Sequence, residues 1–248
     1  MDRVDVLDHG YVRLVDHMGD DLAVVNAARV SFAKESEWGT RYKLDEFTAS
    51  APLCLRNTDK KLLRYLAEHH HTSPFRHCVL SFEVYAPLMV MRQWGKYRVG
   101  STWLFEESDD SLETWNESSR RYITEEPVFY IPDEWRSAPE NKKQGSGEPV
   151  SEPLQRGASE DLQDSIKDGI NKYEAFLAYG ICAEQARLFL PAYDMSIRAR
   201  WTVSLQGVLH FIEQRLHHYA QREIQLYAEA VRDLAKPHFP ESFEVWGL

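Results

Sequence analysis

The sequence predicts an α+β fold, a small antiparallel sheet flanked by several helices in a single domain over residues 1–248. Two kinds of segment predict it. Short stretches dense in branched and aromatic residues, such as Val4–Val15 and Cys78–Tyr85, carry the signature of strands. Longer stretches with apolar residues on one stripe read as helices and dominate the second half. No internal repeat and no heptad pattern is present, and 248 residues with 43% hydrophobic content suffice for one large core.

Taken in order, Val4, Val6, Tyr11, Val12 and Leu14 alternate with polar neighbours and predict a strand or hairpin. Asp20-Asp21 then caps a helix carrying Leu22, Val25, Ala28 and Arg29. Lys60–His69 predicts a second helix, with Leu62, Leu63, Leu66 and Ala67 on its stripe and Pro74 stopping the chain beyond it. Cys78–Tyr85 predicts a strand, and Pro87 opens a helix through Leu88, Met91, Arg92 and Lys96. Residues 102–114 form an acidic insert with Glu106, Glu107, Asp109, Asp110 and Glu113, expected as an exposed loop. Residues 138–159, rich in Pro, Gly, Ser and charge, are expected to be a mobile polar linker. Helices are expected over 159–179, 183–190, 205–216 and 219–235.

Composition excludes several classes. No run of about 18 apolar residues appears, so no membrane span is expected. The start, Met1-Asp2-Arg3-Val4-Asp5, lacks the apolar segment of a secretory signal, and Cys54, Cys78 and Cys182 are odd in number and widely spaced. Both features predict a cytoplasmic protein with reduced thiols. A formal net charge of −10 argues against a nucleic-acid partner, which needs a basic footprint. His69, His70, His71 and His77 lack the carboxylate or cysteine spacing of a metal site, so no metal is expected.

Against this acidic background, three groups of arginines stand where packing does not require them. They are Arg92-Gln93-Trp94-Gly95-Lys96-Tyr97-Arg98, then Trp115-Asn116-Glu117-Ser118-Ser119-Arg120-Arg121-Tyr122, then Arg187 with Arg215 and Arg222. Arg215, Tyr219 and Arg222 recur at helical spacing and are expected on one helix face. A guanidinium offers a fixed fork of donors matched to phosphate oxygens, and its charge does not titrate away. Ser119 adds a hydroxyl and Gln93 an amide, so phosphate recognition competes with a plain reading as salt-bridged helix faces.

The order of these groups resembles the flavin-dependent thymidylate synthases, whose Arg-His-Arg motif is followed by Ser-x-Asn-Glu-x-Ser-x-Arg-Tyr. Here the run is Lys96-Tyr97-Arg98-Val99-Gly100-Ser101, interrupted by the insert and resumed at Trp115–Tyr122. Ala27–Phe32, His69–Phe75, Ala86-Pro87, Arg92–Trp94, Ala186-Arg187, Leu190-Pro191, Trp201–Val203, Arg215, Ala220-Gln221 and Glu223-Ile224 are similar in the same order. The resemblance implies C5-methylation of a uridine nucleotide, dUMP to dTMP, with FAD as cofactor, methylenetetrahydrofolate as carbon donor and NADPH as reductant. It implies a homotetramer with sites at subunit interfaces, Arg92 and Gln93 coming from one chain. Glu117, Ser119, Arg121, Arg187 and Arg215 would complete the substrate site. Arg215 would also stabilise charge on the pyrimidine as a catalytic residue, beside Ser119 as a donor to substrate. Ser31, His71, Ser73, Arg76, Lys96, Tyr97, Arg98, Ser204, His210 and Tyr219 fall on its cofactor side.

The departures cluster on that cofactor side. Lys96 and Tyr97 replace the motif's arginine and histidine, Arg76 replaces an acidic residue, Ser204 and His210 replace asparagines, and Tyr219 replaces a histidine. Cys78, inside an apolar strand with no nearby base, reads as a small buried hydrophobe rather than a nucleophile. Two alternatives stand beside the dUMP reading: C5-methylation of UMP in specialised nucleoside biosynthesis, and a nucleotide-binding homologue without activity. Ser118 and Arg120 replace apolar or small residues, which favours attention to the sugar.

Overall fold

The computed structural model describes residues 2–40, 53–95, 113–123, 125–139 and 145–248. The chain opens with a hairpin, β1 (Arg3–Val6) and β2 (Gly10–Met18), whose tight entry needs the bare glycine. A Cβ at Gly10 would lie 1.9 Å from the Tyr227 hydroxyl. Asp20 caps α1 (Asp21–Arg29) by accepting from Ala23 N at 2.8 Å. A two-residue pair follows, β3 (Gly39–Thr40) with β4 (Leu53–Cys54), then α2 (Asn57–Glu68). Next come β5 (Val79–Pro87), α3 (Leu88–Trp94), β6 (Thr114–Glu117), α4 (Glu152–Ala178) and the single turn α5 (Ala183–Ala186). β7 (Ser196–Ser204), α6 (Leu205–Arg215), α7 (Arg222–Ala235) and α8 (Pro240–Val245) complete the chain.

Five strands form one antiparallel sheet in the order β1-β2-β5-β7-β6. Alternation decides its two faces. Leu80, Phe82, Val84 and Ala86 of β5 and Ile197, Ala199, Trp201 and Val203 of β7 are buried against the helices. Ser81, Glu83, Tyr85, Arg198, Arg200 and Thr202 fall on the other face, as an antiparallel sheet permits. Beneath the sheet Trp94 stacks on Phe211 at 4.4 Å and meets Trp201 edge-on at 5.3 Å, which locks α3 and α6 to the same core. A second, smaller core joins Ile166 and Tyr173 of α4 to Phe129, Ala186 and Leu190. At the far end the Arg29 guanidinium pairs with the fully buried Asp59, whose Oδ1 also accepts from the Ser36 hydroxyl at 2.9 Å.

Several expected boundaries move. The polar linker is helical from Glu152 onward, because Pro153 sits in the first turn, where a missing N–H costs nothing. Trp135 fastens that helix start, its N–H donating to Gln155 Oε1 at 2.6 Å and its Nε1–H to Ser159 Oγ at 2.9 Å. Residues 140–144 of the linker and 102–112 of the acidic insert lie outside the described residues. Glu113 borders the sheet and accepts from Trp201 Nε1, and Thr114 opens β6. The expected helix over 183–190 tightens into a 3-10 turn from Arg187 to Phe189. The helix expected from 219 begins at Arg222 instead. Arg215 ends one helix and Arg222 starts the next, so the supposed shared face of Arg215, Tyr219 and Arg222 does not exist. Strand β7 was not expected, and its alternation is legible only once Arg198 and Arg200 are read as the open face.

Candidate active site

Two cavities hold five of the seven expected substrate residues, and both border the start of α3 and the strap that follows residue 126. The start of α3, residues 193–196 and the strap 128–130 are tied together there by backbone bonds. Leu88 N donates to Met195 O at 3.0 Å, Ser196 N to Val128 O at 2.8 Å and Tyr130 N to Asp194 O at 2.9 Å.

The first cavity, about 740 Å³, is bounded by the end of α3, the break between α6 and α7, and residues 132–136. Gln93 and Arg215 line it together with Gln214, His217, Tyr219, Gln221 and Glu223. Arg215 is 7% exposed and donates from its guanidinium to the Gln93 carbonyl. The Gln93 side-chain amide donates to Gln221 Oε1. These bonds hold Gln93 by its backbone carbonyl and by its side chain, and set one planar cation in a cavity that Gln93, Gln214 and Gln221 also line. Glu223, 4% exposed, is paired with Arg136 and accepts from the Tyr130 hydroxyl at 3.5 Å. Burial, then the Glu223 charge, pushes the Tyr130 hydroxyl well above its ordinary range. A cation and an anion thus sit on the cavity wall, each already held by protein groups.

The second cavity, about 560 Å³, gathers Glu117, Ser118, Ser119, Arg120, Arg187 and Arg198 with Tyr85. β6 delivers the Glu117–Ser119 run by pairing with β7. The Ser118 N–H donates to Arg198 O at 2.7 Å, and Arg198 N–H returns a bond to Ser118 Oγ at 3.0 Å. Ser119 Oγ accepts from both Arg121 N, at 3.3 Å, and Arg121 Nε, at 3.2 Å, which leaves its own hydroxyl proton to donate. Arg187 bonds only a backbone carbonyl, Glu184 O at 3.2 Å, and among the described residues it forms no ion pair. Glu117, Glu125 and Glu126 share this lining, but Arg187 and Arg198 are outside any ion pair among the described residues, and with the Ser119 hydroxyl they are a setting for a phosphate.

The cofactor-side candidates gather elsewhere. His71 and Ser73 are exposed at the 3-10 turn Ser73–His77, which packs on α1, on α6 and on the end of β7. Arg76 in that turn makes no ion pair among the described residues. Ser204 is buried as the cap of α6, its Oγ accepting from Gly207 N at 3.2 Å. His210, half-buried one face along, has its ring pKa lowered by burial against the opposing pull of Glu213. Ser31 lies in the exposed turn Val30–Phe32 that follows α1. Lys96, Tyr97 and Arg98 lie outside the described residues.

The structure therefore divides the expected substrate set. Gln93 and Arg215 fall in the first cavity, and Glu117, Ser119 and Arg187 in the second. Arg121 lines neither cavity but a neighbouring hollow of about 260 Å³ that shares Arg120 with the second, and it is paired with Glu184 at 3.5 Å. Arg92 is exposed on α3 and lines neither cavity. Tyr219 belongs with Arg215 rather than with Ser204 and His210. Sequence reasoning missed Arg136, Arg198 and Gln221. The signal for Arg198 was the alternation of 197–203, and Arg136 left none. Among the described residues no group of three or more His, Cys, Asp or Glu is gathered as metal ligands would be.

Comparison with known proteins places this arrangement. The sequence model described as "Thymidylate synthase complementing protein" matches residues 13–241. The chain belongs to the flavin-dependent thymidylate synthase family. A flavin-dependent thymidylate synthase of Thermosipho africanus (strain TCF52B) is 35% identical over 241 residues, covering 97% of this chain and 92% of that protein. One from Wolbachia pipientis wMel is 34% identical over 245 residues, covering 97% and 75%. The fold matches the crystal structure of a UMP/dUMP methylase, PolB from Streptomyces cacaoi, bound with 5-Br UMP. That match has a TM-score of 0.75 at 26% identity and covers 98% of this chain and 96% of that one. Family membership makes the chain an enzyme of the methyltransferase type with a flavin cofactor, and it displaces the reading as a nucleotide-binding homologue without activity.

Proposed function

We propose that the chain methylates C5 of a uridine monophosphate nucleotide, converting dUMP to dTMP. FAD is the cofactor, methylenetetrahydrofolate the carbon donor and NADPH the reductant. The observation that carries the reading is the pair of cavities. One holds a buried, pre-oriented guanidinium among amides, suited to a pyrimidine. The other holds a hydroxyl and unneutralised arginines, suited to a phosphate. When bound, the reduced flavin supplies the electrons that turn a transferred methylene into a methyl group. The chain's own residues bind and orient. Arg215 sets positive charge against the uracil carbonyls, Gln93 is held by Gln221 for the base edge, and Ser119, Arg121 and Arg187 receive the phosphate.

Arg76, in the turn packed on α6, and the capped start of that helix supply a cation and a helix N-terminus at one corner, which suits the anionic part of FAD. His71, Ser73, Ser31, His210 and Lys96–Arg98 are assigned to the cofactor on the family's pattern. The split of substrate residues between two cavities supports sites completed across subunits in a homotetramer, Arg215 standing with Gln93 on one side. No helix among the described residues is long and apolar enough to cross a membrane, and a cytoplasmic enzyme acting on a small nucleotide, with no nucleic-acid partner and no bound metal, is the accompanying proposal.

UMP is the second reading. PolB, bound in separate structures with 5-Br UMP and 5-Br dUMP, favours attention to it. The test is a paired assay with FAD, NADPH and methylenetetrahydrofolate, dUMP in one reaction and UMP in the other, and 5-methylated product measured by mass. Product mainly from dUMP is expected, and product mainly from UMP transfers the assignment to the ribonucleotide. Methylated product from neither overturns the function.

A further inference from the structure

The second cavity has a wall that Ser119 and Arg187 do not account for. Arg198 stands mid-strand on the open face of β7, across from Tyr85 of β5. It lines this cavity and also a smaller hollow of about 240 Å³ on the sheet, so it forms the rim between them. Its backbone is fixed by the two bonds to Ser118, one residue before Ser119. The side chain is exposed, and it forms no ion pair among the described residues.

That lack of a partner is selective. Glu83 lies on the same face and is already engaged by the Tyr11 hydroxyl at 2.9 Å, by Arg13 at 3.2 Å and by Arg200 at 3.8 Å. Arg13 and Arg200 are thereby paired across the sheet, whereas Arg198, two residues along β7 and opposite Tyr85, adds its charge to the field on Glu83 without forming an ion pair with it. In a chain with 39 acidic against 29 basic residues, an arginine left unpaired at a cavity rim has a use other than fold stability. Its charge is felt inside the cavity: of the neighbouring charges, Arg198 pulls hardest against the burial that raises the Tyr85 hydroxyl.

We infer that Arg198 is a further substrate-binding residue, whose guanidinium receives the nucleotide's phosphate from the sheet side while Ser119 and Arg187 receive it from the other. The inference rests on the proposed nucleotide substrate. A planar fork on a rigid central strand holds its direction better than one on a loop, so Arg198 sets where the phosphate stops along the cavity.

The experiment uses the full chain and calorimetric titration with four probes, dUMP, UMP, deoxyuridine and uridine. Arg198→Gln is expected to weaken the preferred monophosphate roughly ten-fold or more, as loss of one charge-assisted contact does, and to leave the nucleosides unchanged. Arg198→Lys, keeping the charge without the fork, is expected to fall between. If Arg198→Gln melts early, the Lys variant reads the same question. Arg13→Gln, remote from the cavity, is expected to bind all four probes as the parent does. Parent-like monophosphate binding by Arg198→Gln overturns the inference alone, as does an equal loss for nucleotide and nucleoside. A parent protein that binds neither monophosphate overturns the proposed substrate and the inference with it.

Discussion

The two cavities differ in how finished they are. In the first cavity Arg215 and Glu223 are buried, Gln93 and Gln221 are half-buried, and each of the four is bonded to another protein group. Arg215 is held by a backbone carbonyl, Gln93 by Gln221, and Glu223 by Arg136 and Tyr130. Around Ser119 and Arg187 the groups are exposed or half-exposed, tied to each other or to backbone, with cations facing outward. A site that must stabilise developing charge gains from dipoles fixed before substrate arrives. A site that grips a phosphate gains from being open until the ligand desolvates it. The same chain builds both, and the contrast fits the proposal that the reacting base meets the first and the phosphate the second.

The largest expected effect breaks the first cavity. Arg215→Lys keeps a charge but loses the planar fork, and turnover is expected to fall on the order of 10²–10³-fold with a smaller change in KM. Arg187→Gln, by contrast, is expected to act mainly on KM, since a ground-state phosphate contact is shared by substrate and transition state. Mixing the two variants after dissociation and reassembly sharpens the comparison. If each site takes its anchor from a neighbouring chain, the mixture regains activity that neither variant has alone. A mixture no more active than its parts removes the shared-site assignment.

Next is the wall between fold and site. Arg136 and Glu223 form a pair in which the carboxylate is nearly inaccessible. Arg136→Gln leaves that charge buried without its cation, and a loss of about 3 kcal/mol in unfolding free energy is expected. Arg136→Gln combined with Glu223→Gln removes both charges and is expected to recover part of it. Chemical denaturation of the three variants measures this, and equal stabilities would show that the pair is a surface contact.

These residues also mark what the sequence made legible. The β1–β2 hairpin, the Asp20 cap and strand β5 follow from local patterns, period-two alternation and a capping aspartate, and the structure has them near the expected places. Strand β7 was hidden because Arg198 and Arg200 interrupt its apolar run, though they are what an open sheet face requires. Helix α4 starts at Glu152, ahead of the expected 159, because the Pro, Gly and Ser before 159 read locally as breakers. Its stability comes from Ile166 and Tyr173 meeting Ala186 and Leu190, contacts between segments that no local window contains. Ser119, Arg187 and Arg215 were found as residues, but their division between two cavities was not. That division rests on contacts between distant segments, such as the backbone bonds joining residues 193–196 to α3 and to 128–130, which have no sequence signature.

The smallest effect is expected where another route to C5 chemistry would need the largest. A thiolate pushing at C6 requires a thiol that ionises near neutral pH and reaches the substrate. Cys78 fails both conditions. It is fully buried beneath β5, its Sγ donates to Asp20 O at 3.6 Å, and burial pushes its pKa up to about 12. At pH 7 a thiol of that pKa is ionised in only about 1 molecule in 10⁵. Cys78→Ala removes the sulfur and leaves a small cavity, so a stability loss of about 1 kcal/mol is expected, with turnover within about two-fold of the parent. Alkylation of the native protein should modify the exposed Cys182 well before Cys78. A Cys78→Ala protein that folds normally yet loses turnover by orders of magnitude would return the chemistry to a covalent thiol. The Arg215 cavity would then be a binding site only.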